Sequence, residues 1–209
     1  MIVMKFGGST LQASDSIFEA ALRIASASGK RIVAVLSAFD GVTDTLLETM
    51  RVALESENSL QAQLSDLSDR HHRVARECIP DSLIRNKTFA GIDQLTIRLQ
   101  RLCTGISYTG EVTPRLQDHI LSMGERLAVT VMAGILEARG RTCALLEGDG
   151  IDLVGRGPWG NASADLKRTR ELLPRHIHAV LREGKLPLVT GFFGQRSPGV
   201  PLTFGRGGS

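Results

Sequence analysis

The chain has 209 residues, 42% hydrophobic, 22% charged and only 4% aromatic, with a formal net charge of +3. That suffices for one domain with an aliphatic core, and the scarcity of aromatic rings argues against a platform for stacking nucleic-acid bases. The mild basic excess, spread along the chain, reads as solvated surface that also attracts anionic substrates. Cys78, Cys103 and Cys143 are too widely spaced for a zinc motif. They are expected as reduced, partly buried thiols of a cytoplasmic protein. No basic-then-apolar leader opens the chain, and no uninterrupted apolar run approaches the ~20 residues of a membrane span. A membrane partner is therefore not expected.

Residues 2–6 read as a short buried strand, followed by Gly7 and Gly8. Helical spacing of Ile17, Phe18, Ala21, Ile24 and Ala25 predicts a helix over 15–28, capped by Ser14 and ended by Gly29. The β-branched run 31–37 predicts a strand covered on both faces. The chain thus opens as a βαβ unit with a glycine loop at its first turn. From 44 to 103 the pattern is helical, with breaks expected at Asn58, at Pro80-Asp81 and at Gly91. It reads as an excursion packed on the core or on a second subunit. His71-His72 is adjacent rather than helically spaced, so both are expected at the surface.

Thr113-Pro114 starts another helix, with proline at the first helical position, running to Gly140. A strand is expected over 142–147, a loop and short strand over 149–154, and a helix over 163–183 capped by Ser163. A last strand, 186–191, leads to Phe192-Phe193-Gly194. The alternation predicts a mainly parallel sheet with helices on both faces. Ligands of such sheets bind beyond the carboxyl ends of the strands, where the glycine-rich loops at both ends of the chain, Ser37 and Gly191 are expected to fall.

Two glycine loops each carry one cation. In Lys5-Phe6-Gly7-Gly8-Ser9-Thr10, glycine amides and a mobile charge suit a phosphoryl group. The pattern is neither of the common phosphate-binding fingerprints. In Phe204-Gly205-Arg206-Gly207-Gly208-Ser209, the planar guanidinium suits a carboxylate. Ser37 and Thr43 bracket a turn after the second strand; the plain reading is a helix cap, the functional one two hydroxyls turned to a ligand. Glu125 sits in an apolar helix beside Gly124. It reads either as a surface carboxylate paired with a neighbouring arginine or as a group facing a ligand ammonium.

Five segments, residues 4–10, 35–38 with 41–43, 122–126, 191–194 and 203–209, stand in the order found in aspartate kinases, which the chain resembles. Aspartate kinases are members of the amino-acid kinase family. The resemblance implies a three-layer α/β/α sandwich, usually dimeric, built as a homodimer or completed by another chain. It implies transfer of the ATP γ-phosphoryl group, with Mg2+, to the β-carboxylate of L-aspartate, on the route to lysine, methionine and threonine. Lys5 would be catalytic, with Gly7, Gly8 and Ser9 on the phosphate. Ser37, Thr43, Glu125, Arg206 and Ser209 would surround aspartate, with Arg206 on the α-carboxylate and Glu125 on the amine. No protein metal ligands are expected within these residues.

Two departures accompany the resemblance. The first loop reads Gly-Gly-Ser-Thr rather than Gly-Gly-Thr-Ser. The family's aspartate after Gly-Gly-Ser, its nucleotide-binding half and its ACT domains are not expected within residues 1–209. The whole chain, 1–209, is thus expected to be an incomplete kinase domain with little activity alone. The alternatives are a kinase for glutamate or N-acetylglutamate, and a non-catalytic aspartate-binding or subunit-association fragment.

Overall fold

The computed structural model describes residues 1–27 and 31–205, apart from the side chains of residues 57 and 58. Strand β1 (Ile2–Phe6), helix α1 (Ser14–Ser26) and strand β2 (Ile32–Leu36) form the expected βαβ unit. Helices α2 (Val42–Glu55), α3 (Glu57–Cys78), α4 (Ser82–Thr109) and α5 (Pro114–Glu137) follow. Then come β3 (Cys143–Leu146), two short strands β4 (Gly155–Arg156) and β5 (Ser163–Ala164), helix α6 (Leu166–Arg182) and β6 (Leu186–Thr190). A hairpin of β7 (Phe193–Ser197) and β8 (Val200–Thr203) ends the described chain.

The main sheet has the order β1-β2-β6-β3, with every neighbouring pair parallel. Side chains of a strand alternate between faces, and the register sorts them cleanly. Phe6, Ile32, Ala34, Leu36, Leu186 and Leu188 join the larger core with α1 to α5. Val33, Val35 and Val189 point the other way, to Leu173, Ile177 and Leu181 of α6. Three layers result, as expected. Helix α5 is the axis of the larger core. It has the length and mean hydropathy of a membrane span, but 83% of its apolar window is buried by the rest of the protein.

Several boundaries differ from expectation for physical reasons. Ala13, not Ser14, caps α1, and the Ser16 hydroxyl accepts from the Ala13 amide (3.0 Å). Gly29 lies outside the described residues. The break between α2 and α3 falls at Ser56, whose hydroxyl accepts from Ser59 N (3.4 Å), not at Asn58. Gly91 does not break α4. A Cβ there would come within 2.9 Å of Thr130 Cγ2, so its glycine serves the close approach of α4 to α5. Ser163 belongs to β5, and Asp165 caps α6. Helix α5 stops at Glu137, short of Gly140. The helical excursion packs on the core, to which Leu60, Leu64, Leu67, Ile92, Leu99 and Ile106 all contribute.

His71 is not at the surface. It is fully buried, stacked on Phe39 at 5.1 Å, with Nδ1 on Leu67 O (2.8 Å) and Nε2 without a partner. Burial, aided by Arg70 and His72 nearby, pushes its pKa down to about 4. The unfolded chain takes up this proton near pH 6.5, while the folded one resists until about pH 4. Stability is therefore expected to fall as pH drops through that window. Urea denaturation at pH 7.0 and 4.5 checks it: His71→Phe should shrink the difference between the two, and an unchanged difference would assign the acid sensitivity elsewhere.

Candidate active site

The carboxyl ends of β1, β2 and β6 meet. Ser37 N donates to Phe6 O (3.0 Å), and Gly191 N donates to Leu36 O (2.8 Å). Lys5 is the penultimate residue of β1 and pairs in register with Val35, so it lies on the α6 face of the sheet and is exposed. Gly7 enters a single 3-10 turn, Gly8–Thr10, in which Ser9 is exposed. Gly8 backs onto the next loop, where a Cβ would stand 3.5 Å from Ala38 O. Asp40 N donates to Leu11 O (3.0 Å), joining the two loops again.

Glu125 arrives from the opposite face of the sheet. It lies on α5, only 2% exposed, and one of its oxygens accepts from Ala38 N (3.0 Å). Its Oε2 is buried without a partner. Gly124 lets α5 come this close, since a Cβ there would stand 2.8 Å from the Ala38 methyl. Burial raises the Glu125 carboxyl to about 8, against the opposing pull of the Ala38 amide. Hence at neutral pH the side chain is a protonated acid that a cation would ionise.

The expected pairing of Glu125 with a neighbouring arginine does not occur. Arg126 is 1% exposed and turns away to Asp149 (2.7 Å) and Glu147, with its guanidinium 5.1 Å above the Phe193 ring. Two carboxylates and an aromatic face thus compensate this buried cation, leaving Glu125 uncompensated.

Thr43 lies in the first turn of α2, half-buried, after Gly41 takes the left-handed conformation (φ 73) that the turn requires. Ser37 is half-buried at the mouth of the same turn. Arg206 and Ser209 lie outside the described residues. The chain leading to them is fixed at this end of the sheet: Phe204 N donates to Phe192 O (2.7 Å) and Gly205 N to Ala162 O (3.3 Å). The structure therefore brings together the Lys5–Ser9 loop, the Ser37–Thr43 turn and Glu125.

The family model of the amino acid kinase family matches residues 1–209, the whole chain. This chain belongs to the amino acid kinase family. Among curated relatives it is 29% identical to aspartokinase 2, chloroplastic, of Arabidopsis thaliana, over 99% of this chain and 38% of that protein. It is 28% identical to the aspartokinase of Schizosaccharomyces pombe, over 99% of this chain and 41% of that one. It thus spans about two fifths of the length of these relatives. E. coli aspartokinase III in complex with lysine and aspartate superposes with a TM-score of 0.86 at 23% identity, covering all of this chain and 44% of that one. The same enzyme with aspartate and ADP gives 0.83 at 24% identity. At these identities the likeness concerns the fold.

In this amino acid kinase fold, several supporting residues escape sequence reading. Asp118 of α5 is fully buried and accepts from Thr203 N (2.8 Å), Thr203 Oγ1 (2.7 Å) and Gly160 N (3.3 Å), fixing β8 to the core. Arg70 donates to Asp40 O, beside the His71 stack on Phe39, so α3 braces the Ser37–Thr43 turn from behind. The β7–β8 hairpin did carry a signal, Pro198-Gly199 between strand-prone runs.

Proposed function

We propose that these residues form the amino-acid end of an aspartate kinase, which passes the γ-phosphoryl group of ATP to the β-carboxylate of L-aspartate. Glu125 carries the reading: an enclosed carboxyl, one oxygen held by the Ala38 amide and the other without a partner, beneath the Ser37 turn. An α-ammonium supplies the missing charge and donors. Reaching Oε2 takes a rotation of the side chain or a shift of the turn, because the atom has no accessible surface. Sequence relatives that are aspartokinases support the same reading.

On this proposal Ser37 and Thr43 hydrogen-bond aspartate and Arg206 clamps its α-carboxylate. Lys5 reaches the same end from the other face of the sheet, so the acceptor carboxylate lies between the amine anchor and the lysine. Lys5 and the Gly7 and Gly8 amides then oppose the charge that develops as the phosphoryl group moves. Mg2+ enters with ATP. Among the described residues no three His, Cys, Asp or Glu side chains converge as a metal site, so no residue here is given a role toward the ion. The free thiols of buried Cys78 and Cys103 support a reducing, cytoplasmic setting.

Calorimetric titration with L-aspartate, L-glutamate and N-acetyl-L-glutamate tests the proposal. Aspartate should bind at least tenfold more tightly than either, and N-acetyl-L-glutamate, lacking the ammonium, should bind weakest. Tight binding of N-acetyl-L-glutamate would replace the proposal by another acidic amino-acid kinase. Where turnover is followed by ADP release, Lys5→Ala is expected to lower kcat by about 10²–10³ while aspartate affinity holds. An unchanged kcat with a raised KM would move Lys5 from catalysis to binding.

A further inference from the structure

At the amino ends of the strands, opposite the candidate active site, the surface is strongly basic. Helix α6 ends there, turning through Gly184 and Lys185 into β6, and from Arg175 to Arg182 it carries no acidic residue. Arg175, His178 and Arg182 recur at i, i+3 and i+7 and so share one face of the helix. With Arg31 and Leu181 they line a cleft of about 490 Å³. A second cleft, of about 280 Å³, shares Arg31 and Leu181 and adds Arg141, Thr142 and Lys185. The two therefore adjoin, and among the described residues no aspartate or glutamate lines either.

The cations come from three separate stretches of chain: the residue before β2, the connection from α5 to β3, and α6 with its turn into β6. Among the described residues, Arg31, Arg141 and Arg182 make no ion pair. Arg141 Nε is buried without a hydrogen-bond partner. Arg175 and Lys185 do have carboxylate partners, Asp152 and Glu183. Those pairs are solvent-exposed on the arginine and lysine sides, where such pairs contribute little and an incoming anion competes readily.

We propose that this double cleft is a binding site for a small polyphosphate, an anion with two or more linked phosphoryl groups. Arginine forks grip phosphoryl oxygens with paired hydrogen bonds. The concave shape and volume suit a small molecule rather than a macromolecular surface. Among the described residues no Phe, Tyr or Trp lines either cleft, and His178 is the one ring present, so no extended platform for stacking nucleic-acid bases is formed. The five-residue strand β2 separates Arg31 from Ser37, about 17 Å of extended chain. The polyphosphate site is therefore distinct from the aspartate site and does not rest on the aspartate reading.

Calorimetric titration with inorganic tripolyphosphate, at constant ionic strength set by NaCl, tests the proposal on the 209-residue protein. Saturable binding of one tripolyphosphate per chain is expected, with affinity falling at least tenfold in the double variant Arg31→Ala/Arg182→Ala. Lys87→Ala, on the α4 side of the molecule, should leave it unchanged. Arg31 and Arg182 are exposed, so circular dichroism and the ligand-free Tm should match the parent; Arg182→Gln alone serves if they do not. Non-saturable uptake, equal loss in Lys87→Ala or full retention in the double variant would overturn the site. Citrate binding as tightly as tripolyphosphate would overturn its assignment to phosphoryl groups.

Discussion

Binding of L-aspartate at pH 7 is expected to release nearly one proton. The Glu125 carboxyl, raised to about 8 by burial, is mostly protonated in the free protein at that pH. An ammonium on Oε2 favours the carboxylate and drives the proton off. Affinity should therefore rise about tenfold per pH unit from pH 6 toward 8 and level off above, where the carboxylate is already formed. Calorimetry at pH 7 in two buffers of different ionisation enthalpy reads the proton directly. Equal heats in both buffers would remove Glu125 as the amine anchor.

The same residue sets a stability trend of opposite sign to that of His71. In the unfolded chain Glu125 ionises near 4.5, and in the folded protein near 8. Between these values the unfolded state has lost a proton that the folded state keeps, so stability falls as pH rises. A tenfold change in proton affinity corresponds to about 1.4 kcal/mol, so holding Glu125 enclosed and ionised costs several kcal/mol. Glu125→Gln should flatten this slope and stabilise the ligand-free protein at pH 8, while aspartate binding and its proton release are lost. A variant both less stable and still able to bind aspartate would contradict the assignment on both counts.

What the sequence showed, and what it hid, divides along the reach of the interactions. Strands β2 and β6 were legible because a parallel strand covered on both faces is a continuous apolar run, whereas β1, expected to be buried, lies at the sheet edge with Val3 and Lys5 exposed. Thr113 and Pro114 marked the start of α5 because a cap acts within one turn. Gly91 misled because glycine in a helix signals a break locally, whereas here it answers to Thr130 on another helix. His71 looked polar until Phe39, 32 positions away, was placed against its ring. Lys5, Ser37 and Glu125 could be picked out by type and position. That Arg126 would leave Glu125 for Asp149 and Glu147 depends on how α5 meets the loop after β3, which no local pattern encodes.

Asp118→Ala is expected to be the most damaging single substitution in the described structure. Its carboxylate is fully enclosed and satisfies three donors, two of them on Thr203, 85 positions later, and one on Gly160. Truncation leaves the Thr203 amide and hydroxyl and the Gly160 amide without their acceptor. An unsatisfied buried donor costs about 1–3 kcal/mol, so a total loss on the order of 3–5 kcal/mol is expected. That is a large share of the ~5–15 kcal/mol that holds a typical domain together. Asp118→Asn keeps one acceptor oxygen but presents an amide N–H to other N–H groups, and should fall between. The damage should also be local before it is global. Strand β8 runs directly into Phe204, whose amide is held by Phe192 O at the carboxyl end of the main sheet. Releasing Thr203 therefore frees the stretch that leads to Arg206. Urea denaturation gives the global loss, and amide hydrogen exchange at Thr203 and Phe204 in Asp118→Asn gives the local one. Stability within about 0.5 kcal/mol of the parent, the range of ordinary surface changes, would show that water replaces the carboxylate and that β8 is held by its hairpin partner alone.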